Sequence, residues 1–150
     1  MRKFQNISEK YFNIDVWSAG GIVLRKANNE LEVIICERFS QNLVALPKGK
    51  PNQGEDEEET AIREVLEETG LKVRIKMKLK DIFYSFLNED KVVNKKVAFF
   101  LMEKIDGEIG NHDTEFDKVY WEKWNSALKK LTYQGEKDVL EKAIKLAKGN

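Results

Sequence analysis

Three glutamates, Glu64, Glu67 and Glu68, stand at i, i+3 and i+4 in a stretch whose apolar residues recur with a helical period. At about 100° per residue, with Arg63 at the origin, Glu67 falls at about 40°, Glu64 at about 100° and Glu68 at about 140°. Ala61, Val65, Thr69, Ile62 and Leu66 occupy the arc from roughly 160° to 300°. The pattern predicts an apolar stripe for the core with three carboxylates beside it. Carboxylates at this spacing repel one another, and Arg63 offsets only part of the repulsion. A hard divalent cation resolves the conflict, because magnesium takes carboxylate oxygens and keeps several waters. The alternative is a solvated acidic face in a chain already rich in glutamate.

The surrounding residues decide between the two. From Gly49 the chain runs GKPNQGEDEEETAIREVLEETGL. It sets Gly49, then Glu55, then Arg63-Glu64 before apolar Val65, then Glu67-Glu68, Gly70 and apolar Leu71. At ordinary residue frequencies this arrangement arises by chance in such a chain less than roughly once in a million. The segment closely resembles the Nudix box, the signature of hydrolases that cleave nucleoside diphosphates linked to another group. The resemblance implies an α/β fold, a Nudix-type α/β/α sandwich on a mixed β-sheet, with a metal-binding loop and helix at 49–71. Residues 1–150 would form one such domain. It implies two to three magnesium or manganese ions held by Glu64, Glu67 and Glu68 with a backbone carbonyl near Lys48 or Gly49. Gly49 and Gly54 would let the loop bend over the metals, Gly70 would end the helix, and Glu55 and Arg63 would orient loop and carboxylates. Glu64 and Glu67 would serve catalysis. The group that takes the proton from water is Glu64 in some members and a glutamate from a later loop in others. Glu115 is the candidate here for that outer residue, with an ordinary surface glutamate as the alternative. Glu103, Glu108 and His112 are further candidates.

Softer motifs bear on the substrate. LPKGK before the box, KKVAFFLM, and the ending EFDKVYWEKWNSALKKL resemble the subgroup of dinucleoside polyphosphate hydrolases and RNA 5′-pyrophosphohydrolases. That likeness implies phosphate contacts from Lys48 and from Lys95 or Lys96, with Tyr84 or Phe86 stacking on a base. Core packing is the other use of those rings. One departure is that Asn42-Leu43-Val44-Ala45 stands where this subgroup often carries a tryptophan. Dinucleoside polyphosphates of the diadenosine tetraphosphate type are the first expected substrate. Alternatives are an oxidised nucleoside triphosphate, ADP-ribose, a triphosphorylated RNA end, or nucleotide binding without catalysis.

Positioning these residues requires a definite order of elements. Trp17 to Arg25 and Leu31 to Arg38 read as strands joined by a turn at Asn28-Asn29-Glu30. Residues 46–55 hold both prolines and read as a loop, followed by a helix from Glu55 to Thr69 with Glu55, Asp56 and Glu57 in its first turn. LKVRIKMKLK at 71–80 alternates apolar and basic residues, the pattern of a strand with one wet face. IFYSFL and KVAFFLMEKI read as two more strands around a turn at NEDKVVN. Ser126 to Lys148 reads as one short and one longer amphipathic helix. Strands, helix, strands and helices predict a sheet covered on both faces.

Composition narrows the function classes. The chain of 150 residues has 26 basic and 26 acidic residues, so no net field recruits long nucleic acid or anionic lipid. Its one cysteine, Cys36, lies in the apolar run LEVIIC and reads as a core thiol. No apolar run approaches the ~20 residues that span a bilayer. A cytoplasmic location is the resulting expectation, beside the nucleotide partner that the resemblance implies, and composition leaves monomer and homodimer both open.

Overall fold

The computed structural model describes residues 3–4 and 13–149. Strand β1 (Lys3–Phe4) is followed by β2 (Val16–Ala27), β3 (Glu30–Arg38), β4 (Leu43–Ala45) and β5 (Lys48–Gly49). Helix α1 (Glu57–Thr69) leads into β6 (Leu71–Asn88) and β7 (Lys91–Gly107), then β8 (Lys118–Lys123), α2 (Trp124–Lys130) and α3 (Gln134–Ala147). The sheet runs β1-β6-β7-β2-β3-β4, with β5 added on β2 and β8 on β3. Its pairing is mixed: β2 is parallel to β7 over residues 16–23 and antiparallel to β3 over residues 24–27. Among the described residues, no helix is long and apolar enough to cross a membrane.

Two apolar layers lie on the two faces of this sheet. Ile22, Val33, Ile35, Val97 and Phe99 pack against Val139, Leu140, Ala143 and Ile144 of α3 and Ala127 of α2. Ala19, Val23, Ile34, Ala98 and Met102 pack against Ala61 and Val65 of α1. Neighbouring positions on one strand, such as Ile22 and Val23, serve opposite layers because successive side chains alternate across the sheet. The α/β/α sandwich on a mixed sheet expected from the sequence is thus the observed fold. Cys36 is fully buried in the α1-side layer, and burial pushes its thiol well above the usual range.

Local chemistry explains the connections. Asn28 and Asn29 adopt φ of 52° and 65°, and Glu89 and Asp90 adopt 51° and 66°. Such two-residue turns match the twist of the strands they join. The second turn is tighter than NEDKVVN suggested, and β7 begins at Lys91.

Two expectations need correction. LKVRIKMKLK and IFYSFL are not separate strands but parts of the 18-residue β6, whose pairing with β7 shifts register between Lys72 and Val73, Ile75 and Met77, and Lys78 and Lys80. Each irregularity re-aims the pleat. As a result Leu71 and Val73 join the α1-side core, Leu79 joins the α3-side core, and Met77 is exposed, which strict alternation would not give. Helix α1 also starts later than expected. Asp56 is its N-cap, accepting from Glu59 N–H at 2.8 Å, while Glu59 Oε1 accepts from Asp56 N–H at 3.0 Å. This reciprocal cap satisfies two donors at the helix start and leaves Glu55 outside the helix.

Candidate active site

Helix α1 does not bury the stripe that its apolar residues alone suggest. Thr60, Ala61, Val65, Glu68 and Thr69 are buried, whereas Ile62 and Leu66 are exposed. The buried face is rotated toward the carboxylates, and it places Glu68, 2% exposed, inside the protein. At the start of the helix Glu57 pairs with Lys78 on β6, at 3.1 Å, and with Lys96 on β7, at 2.6 Å.

Arg63 organises the start of the site. Its Nε donates to Glu55 Oε2 at 2.6 Å and its Nη2 to Glu55 Oε1 at 2.9 Å. Nη2 also reaches the Lys50 carbonyl at 2.8 Å, and Nη1 reaches Glu64 Oε1 at 2.8 Å and Glu67 Oε1 at 3.1 Å. Glu55 in turn accepts from Asn52 N–H at 2.8 Å and Thr60 Oγ1 at 2.9 Å. The Arg63 guanidinium and these further donors hold its carboxyl down to about 2. One planar fork therefore ties the 50–55 loop to the helix.

Close approach explains Gly49. A Cβ there would lie 2.1 Å from the Glu64 carboxyl carbon, so any side chain would displace that carboxylate. Gly54 turns at φ +86° with open space around it, so its backbone angle rather than crowding favours glycine. Gly70 caps the helix at φ +83°, its N–H donating to Leu66 O at 2.8 Å.

Lys48 binds two buried carboxylates. Its backbone N–H donates to Glu68 Oε1 at 3.0 Å, and its ammonium pairs with Glu136 Oε2 at 3.2 Å. Burial, together with the Glu64 and Glu115 carboxylates, pushes the Glu68 carboxyl well above the usual range, against the pull of the Lys48 N–H.

These groups border a cleft of about 390 Å³ lined by Glu64, Glu68, Lys48, Gly49 and Lys50 from the loop and helix. Ser18, Arg38, Leu43, Lys95, Glu115 and Phe116 complete it. A second cavity of about 540 Å³, lined by Trp17, Pro51, Phe86 and Val93 among others, shares Lys50 and Lys95 with the first. Glu115 follows Glu64 by 51 residues and Glu68 by 47, and is brought beside them by β3 and the segment before β8.

A family model described as the NUDIX domain matches residues 16–143. The chain belongs to the Nudix family. It is 33% identical over 135 residues to the mutator protein MutT4 of Mycobacterium tuberculosis, and 29% identical over 139 residues to an 8-oxo-(d)GTP phosphatase of Mycolicibacterium smegmatis. These matches cover 86% and 87% of this chain but 54% and 42% of the relatives, so the chain spans about half the length of those proteins. Among solved structures, a C. elegans Ap4A hydrolase binary complex superposes with a TM-score of 0.72 at 23% identity, covering 90% of this chain and 99% of that one. The NUDIX domain of Shewanella oneidensis NrtR, complexed with ADP ribose, superposes at 0.67 and 17% identity, covering 95% and 94%. At those identities the structural matches establish the shared fold.

Nudix hydrolases generally use divalent cations such as magnesium. The donor chemistry fits one. Glu64 and Glu68 line one cleft, and Glu67 is linked to Glu64 through Arg63. Glu68 is buried with no ion-pair partner in contact, the Lys48 ammonium being committed to Glu136. Hard oxygen donors suit magnesium or manganese. Among the described residues, no three His, Cys, Asp or Glu side chains are grouped closely enough to hold a metal ion as they stand. Arg63 holds Glu64 and Glu67, occupying oxygens that a cation would share.

The other sequence candidates are spread out. Tyr84 is half-buried against the α3-side core and lines neither cavity described, whereas Phe86, two residues on, lines the second. Lys96 pairs with Glu57 and Glu103 with Arg74, both away from the cleft lining. His112 Nδ1 lies 2.6 Å from the Asp113 carbonyl. Sequence reasoning missed Ser18, Arg38, Lys50 and Phe116. Only Lys50, inside the box, carried a local signal.

Proposed function

We propose that this chain is a metal-dependent Nudix hydrolase that cleaves a phosphoanhydride bond in a nucleoside diphosphate linked to a second group. The observation that carries the reading is Glu68, a carboxyl buried at a cleft with no ion pair in contact, beside Glu64 and the Lys48 backbone, the Lys48 ammonium being paired with Glu136. Glu64, Glu67 and Glu68 would hold two to three magnesium or manganese ions. Such ions supply a nucleophilic water at neutral pH and neutralise charge on the diphosphate oxygens. The protein's own residues do the rest. Lys50 and Lys95 neutralise phosphate oxygens where the two cavities meet, Lys48 adds positive charge within the first, and Phe86 and Trp17 offer the second cavity's walls to a base. Glu64 or Glu115 accepts the water's proton. With Glu115 Oε1 engaged by Arg38, its Oε2 is the accepting atom. All the carboxylates of the box are present, which favours catalysis over nucleotide binding alone.

Dinucleoside polyphosphates are the first substrate reading, supported by the LPKGK and KKVAFFLM motifs and by an aromatic-walled cavity adjoining the cleft. An oxidised nucleoside triphosphate is the second, favoured by the relatives named as a mutator protein and an 8-oxo-(d)GTP phosphatase. The buried Cys36 thiol suits a reducing, cytoplasmic setting. A magnesium-dependent hydrolysis panel separates these readings, using diadenosine tetraphosphate, 8-oxo-dGTP, ADP-ribose and a 5′-triphosphorylated RNA with products resolved by anion exchange. The first reading expects ATP plus AMP from diadenosine tetraphosphate at the highest rate. A dominant rate on 8-oxo-dGTP replaces the substrate and keeps the chemistry. Absence of hydrolysis across the panel, with manganese binding intact, removes the catalytic reading for these substrates.

A further inference from the structure

Glu115 sits in an unfavourable place for a carboxylate. It shares the cleft lining with Glu64 and Glu68, so like charges push it outward, and its side chain is 52% exposed, so water is available to receive it. The segment that carries it has little regular structure, with one 3-10 turn at Ile109–Asn111 and none from His112 to the start of β8. Main-chain bonds fix its two ends. Asp113 N–H donates to Glu67 O at 2.7 Å, and Asp117 N–H donates to Glu37 O at 2.9 Å. Asp117 Oδ2 also accepts from Phe39 N–H at 2.6 Å. Glu115 N–H donates to Asp113 Oδ1 at 3.0 Å, which shapes the turn but leaves the side chain free to swing.

Arg38, the last residue of β3, supplies what the segment itself lacks. Its Nε donates to the Glu115 carbonyl at 3.1 Å and its Nη2 to Glu115 Oε1 at 2.9 Å. Nη1 reaches Gln41 Oε1 at 3.3 Å, and the guanidinium carbon lies 5.1 Å from the Phe116 ring centroid. One rigid fork thus grips both the main chain and the side chain of the same residue, while its face covers the next residue's ring. A lysine has no planar fork with which to make both contacts.

We propose that Arg38 is a positioning residue that holds Glu115 at the cleft against the repulsion of Glu64 and Glu68. This rests on the reading that Glu115 acts in hydrolysis. The test compares the full chain with R38A, R38K, R38Q, E115Q and the double variant R38A/E115Q. Hydrolysis of the fastest panel substrate gives kcat and KM, and deuterium exchange of the 112–117 amides is followed without substrate. R38A is expected to lower kcat about 10- to 100-fold, the range for removing a residue that orients a ligand or base, with KM within about twofold. It should match E115Q and add nothing in the E115Q background, because both changes remove one function. Exchange of the 112–117 amides should rise in R38A, and R38K should recover less than about a tenth of the lost rate. R38Q replaces R38A should the alanine variant fold poorly.

Three outcomes overturn the proposal. A rise in KM with kcat retained places Arg38 on a substrate phosphate instead. Multiplicative losses in the double variant show independent action. A silent E115Q beside an inactive E68Q removes Glu115's role, and Arg38's with it, while the metal-dependent reaction stands. The exchange measurement reports on the Arg38 grip even where no panel substrate is hydrolysed, so the two readings fail separately.

Discussion

Two glutamates are buried among the described residues, and they lie in opposite helices. Glu68 of α1 is 2% exposed and Glu136 of α3 is 3% exposed, and both hold Lys48. Glu136 is fully satisfied: one oxygen accepts from Leu46 N–H at 2.8 Å and the other pairs with the Lys48 ammonium. Glu68 accepts one described hydrogen bond, from the Lys48 backbone N–H, and burial with the nearby Glu64 and Glu115 carboxylates outweighs the more distant pull of the Lys48 ammonium. A buried carboxylate is tolerated when it is paired and hydrogen-bonded, and costly otherwise. Glu136 therefore reads as a structural tie that seats the loop, and Glu68 as a place kept for a cation.

The largest expected effect would break that contrast directly. E68Q should lower magnesium-dependent turnover by more than about 100-fold, beyond what orienting residues alone cost. Its metal-free melting temperature should not fall, since burial pushes the Glu68 carboxyl up to about 9, so that without metal a neutral amide replaces a carboxyl already held in its uncharged form. At magnesium ten times its dissociation constant, the wild type should gain about 1.4 kcal/mol of stability, and E68Q should lose most of that gain. Retained turnover together with a lowered metal-free melting temperature would make Glu68 a structural tie like Glu136.

E136A should show the opposite profile. It leaves the Leu46 N–H and the Lys48 ammonium without their partner, at a cost of about 3 kcal/mol read from urea unfolding. Manganese affinity should change far less than in E68Q. Unchanged stability with lost manganese binding would merge the two roles.

Glu55 sharpens the comparison with the smallest effect. Its folded-state carboxyl is held down to about 2 by Arg63, so it favours the fold wherever it is ionised. That contribution is fully present above the ordinary carboxylate range and is lost as pH falls through that range toward about 2. Melting curves of wild type and E55Q should therefore differ at neutral pH and converge in acid. A gap that persists at pH 2 would assign the effect to packing rather than charge.

The loop and helix at 49–71 were legible because their contacts are local. Glu64, Glu67, Glu68 and Arg63 are brought together by helical periodicity, and Glu55 by the turn just before it. Even there, Glu68 was expected beside the apolar stripe and lies within the buried face. The rotation depends on how α1 seats Ala61 and Val65 against the sheet, a tertiary contact that the helix's own pattern does not mark. The long strand β6 was misread as two because its register shifts arise from pairing with β7, and no local pattern marks them.

Sequence by itself determined the family motif, the order of elements and the residues of the inner wall, because short-range geometry places neighbours without help from the fold. Only the tertiary structure brought Ser18, Arg38, Lys95, Glu115 and Phe116 to the outer wall, and separated Phe86 at the second cavity from Tyr84 against the core. Those residues come from four separate segments, and their meeting depends on strand order and register, which are settled by burying two apolar faces at once rather than by any one segment's own preference.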